Sequence, residues 1–353
     1  MNHEYYMKIA INEAKKGIGK VNPNPLVGAV IVKNGKIISK GYHEYYGGRH
    51  AEIVAIENAK NKGIDIKNST MYVTLEPCSH YGKTPPCAHR LVKEGFKEVY
   101  IGMLDPNPLV NGKGKKILED ASIKVEYGIL EDKIKELNEI FITYISKKRP
   151  FIALKFAMTL DGYIATKDYD SKWISNEKSR KLVHKFRNYY SSILIGANTL
   201  IIDNPKLTCR IKNGRNPIRI ILDKNGLFEN KNLNIFNEEG KNIIFTEKNI
   251  IDIPKNTEII RETDIFEIIN ILYNKGIDSI LVEGGASILS LFLESKIVDK
   301  MHVFYAPKIL GNGISPFNNI TIDSIRNSIN FKPIKNMKID DNIYWELKPC
   351  LQE

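Results

Sequence analysis

The sequence predicts an α/β protein built from two domains, and three observations lead to this prediction. At 353 residues the chain is too long for one ordinary hydrophobic core. Short apolar runs typical of strands alternate with stretches of helical periodicity, as in α/β layer folds. The polar run Ser146-Lys147-Lys148-Arg149-Pro150 interrupts this alternation. We therefore expect one domain over residues 1–147 and a second over residues 148–353.

The first series of elements begins with a β-hairpin. Leu26–Val32 and Lys36–Gly41 flank Asn34-Gly35, a dipeptide that is favoured in two-residue hairpin turns. The apolar spacing of His50–Asn61 is that of a helix. Met71–Leu75 is a short apolar run, which indicates a buried strand.

The rest of this half continues the alternation. Pro85-Pro86 suits the first turn of a helix over Cys87–Glu94, because proline is favoured where helix N–H groups have no partner. The later segments are predicted from period and length as the strand Val99–Met103, the helix Lys113–Leu118, the strand Ile123–Tyr127 and the helix Leu130–Ile145.

A second series of the same kind begins after residue 150. Its strands are short apolar runs, and its helices have apolar residues three and four positions apart. The predicted strands are Ile152–Ala157, Ile193–Ile195, Ile218–Leu222, Ile243–Phe245, Ser279–Val282 and His302–Tyr305. The predicted helices are Glu177–Asn188, Ile265–Lys275 and Ala286–Glu294.

Charge and composition favour a protein that binds neither nucleic acid nor membrane. The net charge of +11 is spread evenly, with +5 over residues 1–147 and +6 over the remainder, and forms no basic tail or arginine-rich stripe. Met1–Gly17 carries Glu4 and Glu13 where a signal peptide needs an apolar core, and no apolar run approaches the ~20 residues that span a bilayer. Four cysteines make no disulfide framework. We expect a cytoplasmic protein.

One imidazole and two thiols suggest a zinc centre in the first half. His50 begins His50-Ala51-Glu52, Cys78 follows Pro77, and Cys87 comes after eight intervening residues. This donor set suits zinc, and three protein ligands leave a fourth position for water, as catalytic zinc requires. Bound zinc lowers the pKa of such a water to about 7.

Glu52 stands where a proton shuttle is needed. It lies two residues after His50, so the two side chains cannot form a same-face ligand pair on a helix. At a helix start that faces the metal, it can instead stand beside the ion. Zinc deaminases use a His-x-Glu motif with a later cysteine pair in this way, although the loop between Cys78 and Cys87 is longer than their usual spacing.

The loop between the two cysteines resembles a known family. Pro77-Cys78-Ser79-His80-Tyr81-Gly82-Lys83-Thr84-Pro85-Pro86-Cys87 is similar to the deaminase half of the bifunctional deaminase/reductase family of riboflavin biosynthesis. Asn24-Pro25-Leu26-Val27-Gly28-Ala29-Val30 and Asp105-Pro106-Asn107-Pro108 carry the same resemblance, which covers essentially the whole chain.

The resemblance implies a cytidine-deaminase-like domain of three layers that binds one Zn²⁺ per chain. His50, Cys78 and Cys87 would be the ligands, and Glu52 would be the catalytic proton shuttle. The substrate base and its ribose phosphate would be held by Asn24, Lys83, Asp105 and Asn107.

A structural zinc site is the alternative for the same residues. It would be closed by a fourth ligand, for which His80 and His89 are the candidates. Cys209 and Cys350 have no nearby ligand partners in the sequence and are interpreted as ordinary thiols. His43, His184 and His302 receive no assigned role.

The second half carries a weaker signal of its own. Glu283-Gly284-Gly285 separates a predicted strand from a predicted helix, and glycines there would let backbone amides approach a phosphate. A tight structural turn explains the same residues equally well. No Gly-x-Gly-x-x-Gly motif occurs, so a Rossmann dinucleotide site is not supported.

The reductase half of the same family supplies the remaining expectations. The resemblance rests on Lys155-Phe156-Ala157-Met158-Thr159-Leu160-Asp161-Gly162, Ser171-Lys172-Trp173-Ile174, Asp203-Asn204-Pro205 and Leu207-Thr208-Cys209-Arg210. It implies a dihydrofolate-reductase-like domain that binds NADPH through Ala157, Trp173, Thr199, Asp203, Gly285, Ala286, Ser287, Ile288, Leu289, Ser290 and Leu291. Its substrate would contact Ser171, Arg187, Leu207, Arg210 and Glu283. Tyr169 stands where relatives usually have glycine.

These expectations describe two successive reactions on one phosphorylated ribosylaminopyrimidine. The first domain would remove an amino group from the ring, and the second would reduce the ribosyl group to ribityl with NADPH. Lys155 and Glu283 are polar candidates for the acid in the reduction. We also expect a homo-oligomer. The alternatives are an RNA or nucleoside deaminase with an accessory domain, and a non-catalytic module that zinc stabilises.

Overall fold

The computed structural model describes residues 2–79, 86–108 and 110–350. It divides into two compact units, Met1–Lys148 and Arg149–Glu353, and the division lies one residue from the predicted boundary. That the two units are independent domains stays a proposal, which a fragment experiment tests. Within the described residues, no helix is long and apolar enough to cross a membrane.

The first unit is built on a mixed five-stranded sheet with the order β2-β1-β3-β4-β5. β1 is antiparallel to β2 and β3, whereas β3, β4 and β5 are parallel. Its strands are β1 Gly28–Lys33, β2 Lys36–Tyr42, β3 Thr70–Leu75, β4 Glu98–Met103 and β5 Lys124–Tyr127. Its helices are α1 His3–Ala14, α2 Ala51–Lys60, α3 Cys87–Glu94, α4 Lys113–Asp120, α5 Glu131–Leu137 and α6 Glu139–Lys147.

Helices cover both faces of this sheet, so the unit has three layers. Alternate strand residues such as Ile31 and Val73 pack against α2, α3 and α4 in one apolar cluster. Their neighbours, such as Val30 and Tyr72, pack against α1 and α5 in another. A sheet that is buried on both faces favours apolar residues at most positions, and all six residues of β3 are buried although Thr70 and Thr74 are polar.

The predicted hairpin is present at β1 and β2. Asn34 has φ 50° and Gly35 has φ 72°, and two successive positive φ values are what a two-residue turn of this hand requires. The strands pair from Lys33 against Lys36 onward.

The prediction of one continuous helix over Leu130–Ile145 is wrong at its centre. The chain forms α5 and α6 instead, and Asn138 between them has φ −107° and ψ 19°. The buried Asn138 amide accepts from the Leu26 N–H at 2.8 Å and donates to the Leu26 carbonyl at 3.1 Å. Apolar periodicity continues through this position, but the hydrogen bonds between the Asn138 side chain and the distant backbone of Leu26 hold Asn138 outside the regular helix.

The second unit is built on a nine-stranded sheet with the order β11-β10-β9-β8-β12-β6-β13-β16-β15. The strands from β11 to β13 are parallel, and β16 and β15 close one edge as an antiparallel pair. Its strands are β6 Phe151–Thr159, β7 Ala165–Thr166, β8 Ser192–Gly196, β9 Ile218–Leu222, β10 Asn242–Phe245, β11 Thr257–Ile260, β12 Ser279–Val282, β13 Lys300–Ala306, β14 Gly313–Ile314, β15 Phe331–Ile339 and β16 Asn342–Pro349. Its helices are α7 Glu177–Tyr189, α8 Ala197–Asp203, α9 Asn234–Asn237, α10 Ile265–Asn274 and α11 Ala286–Glu294.

The α/β class predicted for both halves is therefore confirmed, although the second half has more elements than predicted. The sequence patterns missed α8, α9, β7, β11, β14 and the hairpin of β15 and β16. Most of β15 is exposed, so it lacks the apolar run by which the buried strands were found.

Several chain segments meet where the parallel strands of this sheet reach their carboxyl ends. β12 lies between β8 and β6. Glu283 follows β12 directly, and α8 follows β8 directly. Crevices at the carboxyl ends of parallel strands are the usual ligand sites of open α/β sheets.

Candidate functional site

Three potential metal ligands converge in the first unit. His50 immediately precedes α2, Cys87 begins α3, and Cys78 lies in the segment after β3. The His50 Nδ1 is 3.2 Å from the Cys87 sulfur and 3.5 Å from the Cys78 sulfur. The three ligand atoms all lie within 4.8 Å of one another. One ion can therefore reach all three.

The start of α3 explains why this arrangement favours a thiolate at Cys78, whereas the hydrogen bond with Cys78 and burial raise the pKa of the Cys87 thiol. The Cys87 N–H, at the start of α3, donates to the Cys78 sulfur at 3.2 Å. Hydrogen bonds from Cys87 and His50 lower the pKa of the Cys78 thiol to about 4. A helix N-terminus also favours negative charge. The chemistry of the donor set, with one imidazole and two sulfurs, fits zinc.

The residues proposed as a fourth ligand do not strengthen the structural-zinc alternative. His89 lies on α3 with an exposed side chain and is not part of the three-residue group. His80 lies outside the described residues. Among the described His, Cys, Asp and Glu side chains, the group therefore has three members.

Glu52 lies in the first turn of α2 and is only 3% exposed. Its carboxyl is within hydrogen-bonding reach of the Cys87 sulfur. Burial raises the pKa of Glu52 to about 7, against the opposing charge of His50. A carboxyl in this position can take up or release a proton close to the three ligands.

A buried histidine that the sequence reasoning left without a role ties Asn24 to this centre. The His43 Nε2 is 3.1 Å from the Asn24 amide nitrogen, and its Nδ1 is 3.0 Å from the carbonyl of Arg49. One neutral tautomer satisfies both bonds, with Nδ1–H donating and Nε2 accepting. Burial lowers the pKa of His43, which favours that neutral form. The ring centroids of His43 and His50 are 5.9 Å apart.

Asp105 and Asn107 lie in the segment that follows β4. The Asn107 N–H donates to the Asp105 carboxylate at 2.8 Å. The Asp105 N–H in turn donates to the buried carboxylate of Glu76 at 3.1 Å. Sequence reasoning missed Glu76, whose only signal was a carboxyl at the end of an apolar strand. Lys83, the remaining predicted substrate residue of this half, lies outside the described residues.

In the second unit, three charged side chains meet at the end of β12. Glu283 accepts two parallel hydrogen bonds from Arg187, at 2.9 and 3.0 Å. The Lys155 ammonium lies 3.5 Å from the same carboxylate. Burial alone would raise the pKa of Glu283, but the charges of Arg187 and Lys155 lower it to about 2. The cluster is thus an ionised carboxylate with two cations.

The segment after α8 is held by α7. The Thr208 carbonyl accepts from Arg187 at 3.2 Å, and the His184 ring nitrogen Nδ1 lies 3.2 Å from the same oxygen. Leu207 has φ 53°, and the residue is buried in the core. Arg210 is exposed.

Several residues predicted to bind NADPH are brought together by α8 and the loop before α7. The Lys172 ammonium is 3.6 Å from the Asp203 carboxylate, which ties the loop of Ser171 and Trp173 to the end of α8. The Arg180 guanidinium lies 4.5 Å from the Trp173 ring centroid. A ligand that fills this region would therefore meet an aromatic ring that is 61% exposed.

The glycines before α11 form a turn that packs closely against its neighbours. A Cβ at Gly285 would stand 3.5 Å from the Thr199 hydroxyl, and a Cβ at Gly284 would clash with Ile288. The side chains of Leu289 and Leu291 pack into the core, and Ser290 is buried. Contact with a ligand is therefore open mainly at Gly285 and Ser287, because Ala286 is buried and Ile288 also packs against the core. Ala157 lies on β6, two residues after Lys155.

Each half of the chain matches a known protein family. The family model described as "RibD C-terminal domain" matches residues 150–344, and the model "Cytidine and deoxycytidylate deaminase zinc-binding region" matches residues 1–103. The riboflavin biosynthesis protein RibD of Aquifex aeolicus is 42% identical over 351 residues, which cover 97% of each chain. That of Bacillus amyloliquefaciens is 42% identical and covers 89% of this chain and 86% of its own.

Solved structures are similar over the whole chain. A diaminohydroxyphosphoribosylaminopyrimidine deaminase/5-amino-6-(5-phosphoribosylamino)uracil reductase from Thermotoga maritima has 46% identity and a TM-score of 0.94, with 99% of each chain covered. RibD of Acinetobacter baumannii has 33% identity and a TM-score of 0.90, also with 99% of each chain covered. With its identity to curated relatives, its two matching family models and its fold all in agreement, this chain belongs to the RibD family of riboflavin biosynthesis proteins.

Proposed function

We propose that this chain catalyses two successive reactions of riboflavin biosynthesis on one phosphorylated pyrimidine. The first is hydrolytic deamination of 2,5-diamino-6-ribosylamino-4(3H)-pyrimidinone 5′-phosphate. The second is reduction of the ribosyl group to ribityl, which gives 5-amino-6-ribitylamino-uracil 5′-phosphate. The observation that carries the proposal is the meeting of His50, Cys78 and Cys87 beside the buried Glu52.

The three ligands and Glu52 support the deaminase step. His50, Cys78 and Cys87 would hold one zinc ion, which when bound supplies an acidified water. Glu52 is placed to take a proton from the attacking water and to pass it to the ring and the departing amine. In the net reaction, water adds to the amino-bearing ring carbon, the C–N bond breaks and ammonia leaves.

The segments around the centre support binding of the pyrimidine. Asn24 and Asn107 carry amides that can donate to and accept from a ring edge, and Asp105 can accept from ring N–H groups. His43 fixes the orientation of the Asn24 amide by accepting from its nitrogen. Lys83 is proposed from the resemblance alone.

The second unit supports the reductase step. NADPH, when bound, supplies the hydride. Thr199, Asp203, Trp173, Ala157 and the start of α11 would hold it. As the resemblance implies, Ser171 and Leu207 would hold the substrate, and Arg210 is chemically suited to its phosphate.

The charged cluster would act on the sugar itself. Glu283 stays ionised between Arg187 and Lys155, so it can accept hydrogen bonds from sugar hydroxyls. Lys155 is the candidate donor of the proton that accompanies hydride transfer. The product gains one hydride and one proton at the opened sugar.

A cytoplasmic location and a homo-oligomeric state are part of the proposal. Light scattering of the purified chain would measure its mass in solution. A monomer at all concentrations would exclude the homo-oligomer.

The direct test is to incubate the purified protein with the diaminopyrimidine phosphate, with and without NADPH. Without NADPH we expect release of ammonia and no further change. With NADPH we expect the ribityl product and loss of NADPH absorbance. Ammonia release from cytidine or RNA, but not from the aminopyrimidine phosphate, would favour the alternative deaminase. No turnover in a zinc-loaded protein would favour the non-catalytic module.

A further inference from the structure

Glu76 connects the cysteine segment to the segment of Asp105 and Asn107. It lies at the end of β3, two residues before Cys78, and is only 4% exposed. Its own N–H donates to the Met103 carbonyl at 3.0 Å, which continues the pairing of β3 with β4. The carboxylate is therefore fixed at the point where both strands end.

The Glu76 carboxylate accepts three backbone hydrogen bonds from the segment that follows β4. One oxygen accepts from the N–H groups of Asp105 at 3.1 Å and Gly112 at 3.0 Å. The other oxygen accepts from the N–H of Lys115 at 3.0 Å, in the first turn of α4. The bonds span both ends of the segment, so one side chain fixes where it begins and where it ends.

Close packing on the neighbouring residue supports the same connection. A Cβ at Gly114 would collide with the carbonyl oxygen of Pro77. The backbone of α4 thus lies directly against the residue between Glu76 and Cys78. Two independent contacts, one polar and one steric, join α4 to the cysteine segment.

We propose that Glu76 is a positioning residue of the deaminase site, which sets the Asp105–Asn107 segment against the metal centre through these three backbone bonds. The inference rests on the proposed function, in which Asp105 and Asn107 hold the pyrimidine. Glu76 is not one of the three candidate metal ligands. It acts on substrate affinity and leaves the chemistry to Glu52.

The test compares Glu76→Gln with wild type in the zinc-loaded full chain. A glutamine keeps the size of the side chain but turns one acceptor oxygen into an N–H₂ donor, which faces a backbone N–H and cannot bond with it. We expect the deaminase KM to rise about tenfold while kcat changes much less, since the lost contact serves binding in ground and transition state alike. Zinc content and reductase rate should equal those of wild type.

Two further variants separate positioning from general damage. Glu76→Asp keeps both charged oxygens on a shorter side chain, and its KM should lie between those of wild type and Glu76→Gln. Glu119→Gln, an exposed position on α4 that pairs only with Lys115 among the described contacts, should match wild type.

The outcomes are distinguishable. An unchanged KM in Glu76→Gln, a fall confined to kcat, or loss of zinc would each overturn the positioning role. Should Glu76→Gln not fold, an Asp variant with wild-type KM would overturn it as well. A wild type that binds zinc but releases no ammonia would refute the proposed function, and the inference with it.

Discussion

Arg187 and Glu283 form a paired contact in which two N–H groups of one guanidinium donate to the two oxygens of one carboxylate, at 2.9 and 3.0 Å. Both side chains are largely buried, with 14% and 9% exposed. This geometry is the strongest form of an ion pair, and it fixes the direction of both groups. Because Lys155 also contacts the carboxylate, Glu283 is neutralised from two sides.

The ionisation of Glu283 should make the second unit sensitive to acid. The pKa of Glu283 is lowered from 4.5 to about 2, so its contribution to stability is present above pH 4.5 and is lost as the pH falls towards 2. A shift of this size corresponds to roughly 3 kcal/mol. Glu283→Gln should therefore lower the free energy of unfolding at pH 7, and the gap to wild type should close between pH 4.5 and 2. Urea unfolding at several pH values measures this, with exposed Glu294→Gln as control. A difference in the free energy of unfolding between wild type and Glu283→Gln that stays constant with pH would contradict this prediction.

Local sequence signals were sufficient for the hairpin and for the helix starts at His50 and Cys87. Asn34-Gly35 determines its own turn, because both residues adopt the positive φ that few other pairs tolerate. His50 and Cys87 could be placed because helix starts are marked by local pattern and by proline. In both cases the deciding interactions lie within a few residues of the signal.

Long-range polar contacts could not be predicted in this way. Asn138 bonds to Leu26, 112 positions away, and nothing near Asn138 in the sequence marks the helix break. Glu76 likewise reaches Asp105 and Gly112 across the sheet. Such partners are set by how the strands are ordered, which periodicity does not give.

Asn138→Ala should destabilise the first unit by about 2–4 kcal/mol. The change leaves the Leu26 N–H and carbonyl without their side-chain partner in a buried place, and each such group costs about 1–3 kcal/mol. Chemical unfolding followed by circular dichroism measures the loss. Asn58→Ala is the matched control, since it removes one exposed bond to the Lys40 carbonyl and should cost much less. Equal effects of the two variants would show that the Asn138 contacts do not stabilise the unit.

Cys78→Ala and Cys87→Ala should each lose the zinc that wild type binds at about one ion per chain. Removing one of three protein ligands leaves two, too few to hold the ion. Metal analysis after gel filtration measures the content. Cys209→Ala, in the other unit, should keep its zinc and shows that loss of a thiol as such has no effect. Full zinc content in either ligand variant would remove that residue from the site.

Glu52→Gln should retain zinc and fold but lose deamination by about 10²–10⁴-fold, because an amide cannot carry the proton. Ammonia release is the measurement, and the zinc content of the same sample reports on folding of the first unit. Glu57→Gln on the same helix, whose carboxylate pairs with Arg49, should deaminate nearly as fast as wild type. Near-normal ammonia release by Glu52→Gln would exclude Glu52 as the proton shuttle.

The second unit should fold and reduce substrate without the first. Arg149–Glu353 forms its own sheet and core, and none of the candidate zinc ligands lies within it. A fragment of these residues should therefore unfold cooperatively and oxidise NADPH with the deaminated substrate. Since hydride transfer is the chemistry of the nicotinamide, a chelator should leave that rate unchanged in the fragment and in the full chain, while it stops ammonia release in the full chain. NADPH absorbance in the presence of chelator is the measurement. A reductase rate that falls with zinc removal would show that the two units work as one catalytic body.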